Sequence, residues 1–451
     1  MELFLSAIAL ILLLLAGSGV LLLLVNSKSK IDALEFFALA FLFGCAFISL
    51  SSFLLGWFFS GVVLRSTVSL LSLAIFAAAC LRARQLQIKI SGLIPRTLSD
   101  YLLLVIILTP TIFLFWICAH AGLGWDGLFH WEIKAQVVFA NGGALPLSYL
   151  TEKTLWSSQR GYPLLLPLSE AWFYRWIGIA HQGIIKLFFP FFLLAALCLL
   201  ATAEGKRNLL APLLLIFVPI VMFGEGSLAA GYADFLIATY FLGAMIYLLR
   251  YVENANSHSL RIFAALSLCL PWTKQEGNIL LLILLGLLAL ALWKQKKSAR
   301  EKLRQFLFAA SPGLVVLFGW NLFVKIFKTP YEQYYLTLSL AVLRANFSRT
   351  SFIFNFIWNE IFVWNHWGIL WFALPFGVAL QFLSKRGLRA WLLTLSVFLP
   401  LSAYVGIYYF ASTAQLSLDV WLEKSLSRLM MQVVPTAILL IVTAKPDKKH
   451  L

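Results

Sequence analysis

LFLSAIALILLLLAGSGVLLLLV, residues 3–25, decides the fold class. The run carries no charge and is long enough to cross a hydrocarbon core of about 30 Å as a helix. No water is present at that depth, so the backbone N–H and C=O groups must pair within the segment, as a helix does. Its length and its lack of a small-residue cleavage site mark it as a span and not as a removable signal peptide.

The same pattern recurs along the chain, near 34–59, 66–81, 101–121, 183–203, 209–224, 232–250, 260–272, 278–293, 305–325, 366–384, 390–410 and 427–443. The expected fold is an all-α polytopic membrane bundle of about thirteen spans, a single integral membrane domain over 1–451. Composition agrees: 61% of residues are hydrophobic and 12% charged, where a soluble domain carries roughly a quarter charged. Mean hydropathy is +0.90. The five cysteines stand singly inside apolar runs without CxxC spacing. They read as small core residues and not as a disulfide framework or metal site.

The net charge of +16 does not point to nucleic acid, because the basic residues are scattered through short loops between spans. That is the positive-inside pattern, and the partner it implies is the membrane and its lipids. The loops 82–96, 206–207, 250–261, 294–304 and 385–389, with the tail 445–449, then share the cytoplasmic face. This orientation places about 22 of the 35 Lys and Arg on that face, Lys28 and Lys30 included, and leaves about 12 of the 19 carboxylates outside. Residues 162–178 are apolar enough for a span, but a crossing there would turn 294–304 outward. The segment therefore reads as a juxtamembrane or re-entrant helix within an outer-face loop, 122–182. A second outer-face region runs over 325–365.

Four outer turns carry the polar residues with chemical potential. In GWDGLFHWEIKAQVVFANGG, residues 124–143, Asp126, His130 and Lys134 stand four apart and share one helix face. Trp125, Phe129, Trp131 and Val138 form an aromatic side that suits a helix lying in the interface. Asp126 reads either as an N-cap or as a carboxylate placed to act as a general base. Asp234, in GEGSLAAGYADF, directly precedes a span and carries the same two readings. Gly224, Gly226 and Gly231 beside it either form a turn or let backbone approach a ligand closely. In WTKQEG, residues 272–277, Thr273 and Glu276 have capping-box spacing. Lys274 next to them stands at a helix N-terminus, where a cation opposes the macrodipole unless an anion is near. Arg428 opens the last span with the same polarity. A guanidinium at helix amides makes a phosphate site, and a snorkelling arginine is the other reading. His130 and His366 are too isolated to define a metal site. No metal ligand set is assigned and a divalent ion is not excluded.

WDGLFHWEIKAQ at 125–136, YPLLLP at 162–167, GYADF at 231–235 and WTKQEG at 272–277, in that order, resemble the bacterial GT-C glycosyltransferases. SLSR at 425–428 is a looser match. That superfamily includes the protein mannosyltransferases and the enzyme that adds aminoarabinose to lipid A. The resemblance implies a GT-C-like bundle and a hexosyl- or pentosyltransferase that uses a polyprenyl-phosphate-linked sugar as donor. Its acceptor would be a glycan, lipid or protein on the outer face, in a bacterial cytoplasmic (inner) membrane. It places the catalytic base on Asp126 and substrate contacts on Lys134, Asp234, Lys274, Glu276 and Arg428. Transfer would be a single inverting displacement. Two other functions share this topology, a transporter or flippase of lipid-linked sugars and an outer-face glycan ligase or polymerase.

Overall fold

A computed structural model describes residues 1–444 except 153, 155–157, 328–334, 337–338, 385–386 and 413–416. The expected basic tail 445–449 lies outside the described residues, as do parts of the 385–389 loop and of the 325–365 region. Helices dominate. The first four are α1 (Glu2–Leu24), α2 (Ala33–Leu55), α3 (Gly61–Gln85) and α4 (Leu98–His120). Short helices follow: α5 (Ile133–Ala140), α6 (Leu147–Thr151), α7 (Leu165–Ile177) and α8 (Gln182–Ile185), then α9 (Pro190–Thr202) and α10 (Leu210–Ile216). The centre of the chain forms α11 (Asp234–Asn254), α12 (Ser257–Thr273), α13 (Glu276–Lys294) and α14 (Ala299–Ile326). The remainder gives α15 (Leu340–Ala345), α16 (Thr350–Ile361), α17 (Trp364–Trp367), α18 (Leu370–Leu383), α19 (Leu388–Phe410), α20 (Leu418–Met431) and α21 (Val434–Val442).

Among the described residues nine helical segments are long and apolar enough to cross a membrane. They become ten if α20 and α21, bent by 43° at their junction, count as one. The expected spans 209–224, 260–272 and 366–384 fall on the shorter α10, α12 and α18. In the first of these the helix stops at Ile216, and Pro219, which has no N–H to continue the ladder, starts a separate turn. At 13 residues, α7 is only about 20 Å long. It packs among α1, α2, α3 and α5 and ends at Gly178, whose φ of 87° supplies the left-handed cap that helices use to stop.

Burial orders the bundle. The apolar stretch of α11 is 89% buried, against 22% for α3 and 28% for α14. A helix apolar on all sides belongs in the interior, so α11 is the axis and α3 and α14 the rim. The rim shows exposed Leu70, Phe318 and Leu322, a surface suited to lipid and not to water. Lipid offers no hydrophobic drive for helix association, so close packing of small residues must supply it. At the α1–α2 crossing, a Cβ on Gly17 would run into the Ala40 carbonyl and one on Gly44 into that of Leu13.

One end of the bundle is tied by charge. Arg207 reaches Asp32, the N-cap of α2, at 3.0 Å and Asp100, in the capping box of α4, at 2.7 Å. Just there β1 (Lys30–Asp32) pairs in parallel with β2 (Lys89–Ser91). The candidate site lies at the other end.

Candidate active site

The site is built where the N-terminus of α11 meets the C-termini of α12 and α20. Asp234 is the first residue of α11, and its side chain does not cap the helix. Its carboxylate takes Lys274 at 2.6 Å and Gln432 at 2.9 Å on one oxygen. The other oxygen takes Arg428 Nε at 3.2 Å and Nη2 at 3.1 Å. Asp234 is wholly buried, and buried charge persists only when its lone pairs are met.

Arg428 carries the network outward, with Nη2 also 2.7 Å from Asp126 Oδ2. Lys274 likewise contacts Glu276 at 2.9 Å. The result is a chain of alternating charge: Asp126, Arg428, Asp234, Lys274, Glu276. Burial alone would disfavour the Lys274 ammonium, but Asp234 and Glu276 outweigh it and raise its pKa, so it stays charged.

Tyr232 supports the accessible end. Its ring lies beneath the Arg428 guanidinium, 4.6 Å from centroid to Cζ, a cation–π contact. Its hydroxyl accepts the Asp126 N–H at 3.1 Å and donates to Glu225 at 3.3 Å. Gly226, at φ 88°, leaves the space the Arg428 side chain occupies, since a Cβ there would collide with Arg428 Cγ. Gly224 and Gly231 also have positive φ. The turn-forming reading of these glycines therefore holds, with Gly226 opened toward a side chain.

Several local expectations are corrected. Thr273 and Glu276 form no capping box: Thr273 closes α12 with its hydroxyl on the Cys269 carbonyl at 2.7 Å, and Glu276 pairs with Lys274. Asp126 makes no side-chain cap either. Arg428 does not open a helix but lies in the last turn of α20, and Lys274 stands between two helices, at the C-terminus of α12 and just before the N-cap of α13. A cation at a helix C-terminus agrees with the macrodipole. What draws these two cations in is Asp234.

Residues 127–132 form a π-helical turn before α5. His130 and Lys134 face the interior, while Asp126 stays partly open. Trp125 and Phe129 are exposed, whereas Trp131 and Val138 are buried, so the aromatic side is divided. His130 is buried against Trp131 and Tyr162. Burial first, then Lys134, Lys274 and Arg428, push its pKa well below 6.5 and leave the imidazole neutral. It therefore supplies no positive charge to Asp126.

Lys134 is fully buried, 5.1 Å over the Trp131 ring, and its Nζ has no hydrogen-bond partner among the described residues. Burial pushes its pKa well down, opposed by the charges of Asp126 and Glu170. Glu170 is equally buried, with neither carboxylate oxygen hydrogen-bonded among the described residues. Burial and Glu132 push it well up. Lys134 and Glu170 are thus two enclosed groups of opposite sign, each acting on the other's charge state.

The sequence reading missed Gln432, Tyr404 and Tyr232. Gln432 donates to Asp234 and accepts the Tyr404 hydroxyl at 2.6 Å. Its signal was a lone amide in the apolar run MMQVVP, and polar residues at membrane depth mark function by default. Tyr404 also borders an apolar groove of about 230 Å³ between α16, α18, α19 and α20, with Trp371, Pro375, Phe398 and Leu429 in its walls. Among the described residues no three His, Cys, Asp or Glu side chains gather as a metal site, and His366 is held by Glu360 at 2.7 Å. The chain matches no family model, no curated protein and no solved structure.

Proposed function

We propose that the protein is a membrane glycosyltransferase that moves a sugar from a polyprenyl-phosphate-linked donor to a hydroxyl acceptor at the outer face of the membrane. One observation carries the reading: Asp126 and Arg428 touch at 2.7 Å with reactive capacity left on both. Asp126 uses only Oδ2, and Arg428 uses only Nε and Nη2, in hydrogen bonds and ion pairs to the described residues. A carboxylate oxygen and a guanidinium edge then stand side by side at the accessible end of the charge chain.

The chemistry needs that pairing. The acceptor oxygen attacks the anomeric carbon and gives its proton to Asp126. The bond from that carbon to the phosphate oxygen breaks, and the lipid phosphate departs with its electron pair toward Arg428. Phosphate is already a good leaving group, so no general acid is required. A general base contributes typically about 10²–10⁴-fold, and a preplaced cation stabilises the charge as it develops. One displacement inverts the anomeric centre. Asp234 is fully enclosed and serves as the positioning residue for Lys274 and Arg428. The groove beside Tyr404 is apolar and suits an isoprenoid chain. In this reading α10, α12 and α18 also cross, giving thirteen spans, and the site faces outward.

Purified protein in detergent, given a polyprenyl-phosphate sugar and candidate acceptors, should release polyprenyl phosphate in an Asp126-dependent manner. A transporter of lipid-linked sugars is the second reading, favoured by polar chambers at both ends of α11. Movement of donor across a vesicle wall without release of polyprenyl phosphate would select it.

A further inference from the structure

A cavity of about 670 Å³ opens at the end of the bundle opposite the charge chain. It is enclosed by the C-terminal ends of α1, α3 and α11 and the N-terminal ends of α2 and α12. By the distribution of basic loops this is the cytoplasmic end. Lys28, Lys30, Arg82 and Arg250 line it, with Glu35 as the one acid. Glu35 is already consumed, since Arg250 and the Tyr247 hydroxyl both bind its Oε1.

The other cations keep their charge unspent. Among the described residues Arg82 donates only to carbonyls at the end of α1, those of Leu22 and Leu23. Lys28 and Lys30 have no acidic partner among the described residues, and both side chains are exposed. Lys28 holds a left-handed φ of 57°, a conformation costly for a non-glycine residue that persists only where the surrounding structure over-determines it. Its N–H donates to the Leu86 carbonyl at 2.7 Å, which fixes it over the cavity mouth. His258, also in the lining, has a buried Nδ1 with no hydrogen-bond partner among the described residues.

We propose that this chamber binds a phosphate-bearing anion. The Arg82 guanidinium and the Lys28 and Lys30 ammonium groups, with the Ser27 and Ser29 hydroxyls in the same lining, match phosphate oxygens. The volume falls in the range of small-molecule sites, well beyond a bare ion. The same chemistry serves an anionic phospholipid headgroup entering from the leaflet or a soluble phosphate ester entering from water. Basic pockets between helices at the cytoplasmic surface are of the kind that hold lipid headgroups. The proposal does not depend on the reaction at the other end.

The full chain in detergent is examined by native mass spectrometry after exposure to phosphatidylglycerol or phosphatidylcholine. Its thermal unfolding is also measured with inorganic phosphate and pyrophosphate at constant ionic strength. Retention of phosphatidylglycerol over phosphatidylcholine, lost about tenfold or more in Lys28→Gln/Lys30→Gln, supports the lipid source. Stabilisation by phosphate or pyrophosphate that the double variant loses supports the soluble source. Neither effect, or effects equal in wild type and variant, overturns the proposal. Should the variant not fold, wild type decides alone: bound ligand must protect Lys28 and Lys30 from acylation, and unchanged labelling overturns the proposal.

Discussion

Lys274 and Asp234 meet at 2.6 Å where the aspartate is wholly enclosed and the lysine nearly so. Their bond joins α12 to α11 and places one charge of each sign beneath the accessible pair, Arg428 and Asp126. A pair so enclosed stabilises little in sum, because desolvation offsets its attraction, but removing one partner strands the other.

Lys274→Ala should therefore cost stability as well as activity, about 3–5 kcal/mol, read as a fall in apparent unfolding temperature in detergent. From sequence alone Lys274 reads as a dispensable phosphate contact, and its burial against Asp234 argues otherwise. In Lys274→Met/Asp234→Leu the loss should be smaller than the sum of the single losses, since neither member of the pair is left to face the other's absence. Additive losses would separate the two residues energetically.

Arg428→Lys tests the carrier contact. Lysine keeps the charge but cannot reach Asp126 and Asp234 with one planar fork. We expect the variant to fold and to lose at least about tenfold in kcat/KM for the lipid-linked donor. Unchanged kcat/KM would remove Arg428 from the phosphate site and leave it as a brace for Asp234.

Gly226→Ala approaches the same guanidinium from the backbone. The position combines φ 88° with a Cβ that would strike Arg428 Cγ. The substitution should destabilise by about 1 kcal/mol or more and lower turnover by displacing Arg428, while Gly224→Ala, where a Cβ meets nothing within 4 Å, should cost only the backbone strain. Equal turnover in the two variants would show that the collision with Arg428 does not matter.

What the sequence could and could not disclose follows from which forces act locally. Uncharged runs such as 3–25 announce helices because lipid leaves the backbone no other partner. Residue 219 shows the limit: hydropathy reads 209–224 as one span, whereas a proline without an N–H divides it. At the site, Asp126, Asp234, Lys274 and Arg428 were selected for being polar in turns between apolar runs, and the fold brings all four into one chain. Their partners were misread because Asp234 and Arg428 are 194 residues apart, and helix-end rules see only neighbours. The π-helical turn at 127–132 is hidden for another reason, since no 3.6-residue periodicity anticipates it.

His130 gives a pH dependence with a definite sign. Its folded pKa lies well below the ordinary 6.5 because the buried ring resists charging. As pH falls through about 6.5, the unfolded chain takes up a proton that the folded chain refuses, so stability declines toward acid until the folded pKa is reached. The slope from this one residue is at most about 1.4 kcal/mol per pH unit. His130→Phe, which keeps an aromatic ring between Trp131 and Tyr162, should flatten the fall in unfolding temperature between about pH 7 and pH 5. Parallel curves for the two proteins would mean that His130 is charged in the folded state or remains neutral in both states.

The sharpest expectation concerns Asp126. Of the two aspartates it alone is partly open, at 22% side-chain exposure against none for Asp234, so only Asp126 can receive a proton from an arriving acceptor. Asp126→Asn keeps the shape, and its amide oxygen can still accept from Arg428, so folding and donor binding should survive. The amide cannot take the acceptor proton. Turnover should fall by about 10²–10⁴-fold, about 3–5 kcal/mol of barrier, with donor affinity changed far less. The measurement is release of polyprenyl phosphate alongside donor binding to the same variant. Undiminished release would leave Asp126 as no more than a brace for Arg428, and because Asp234 is sealed behind that arginine, the base would then have to come from the acceptor itself or from water.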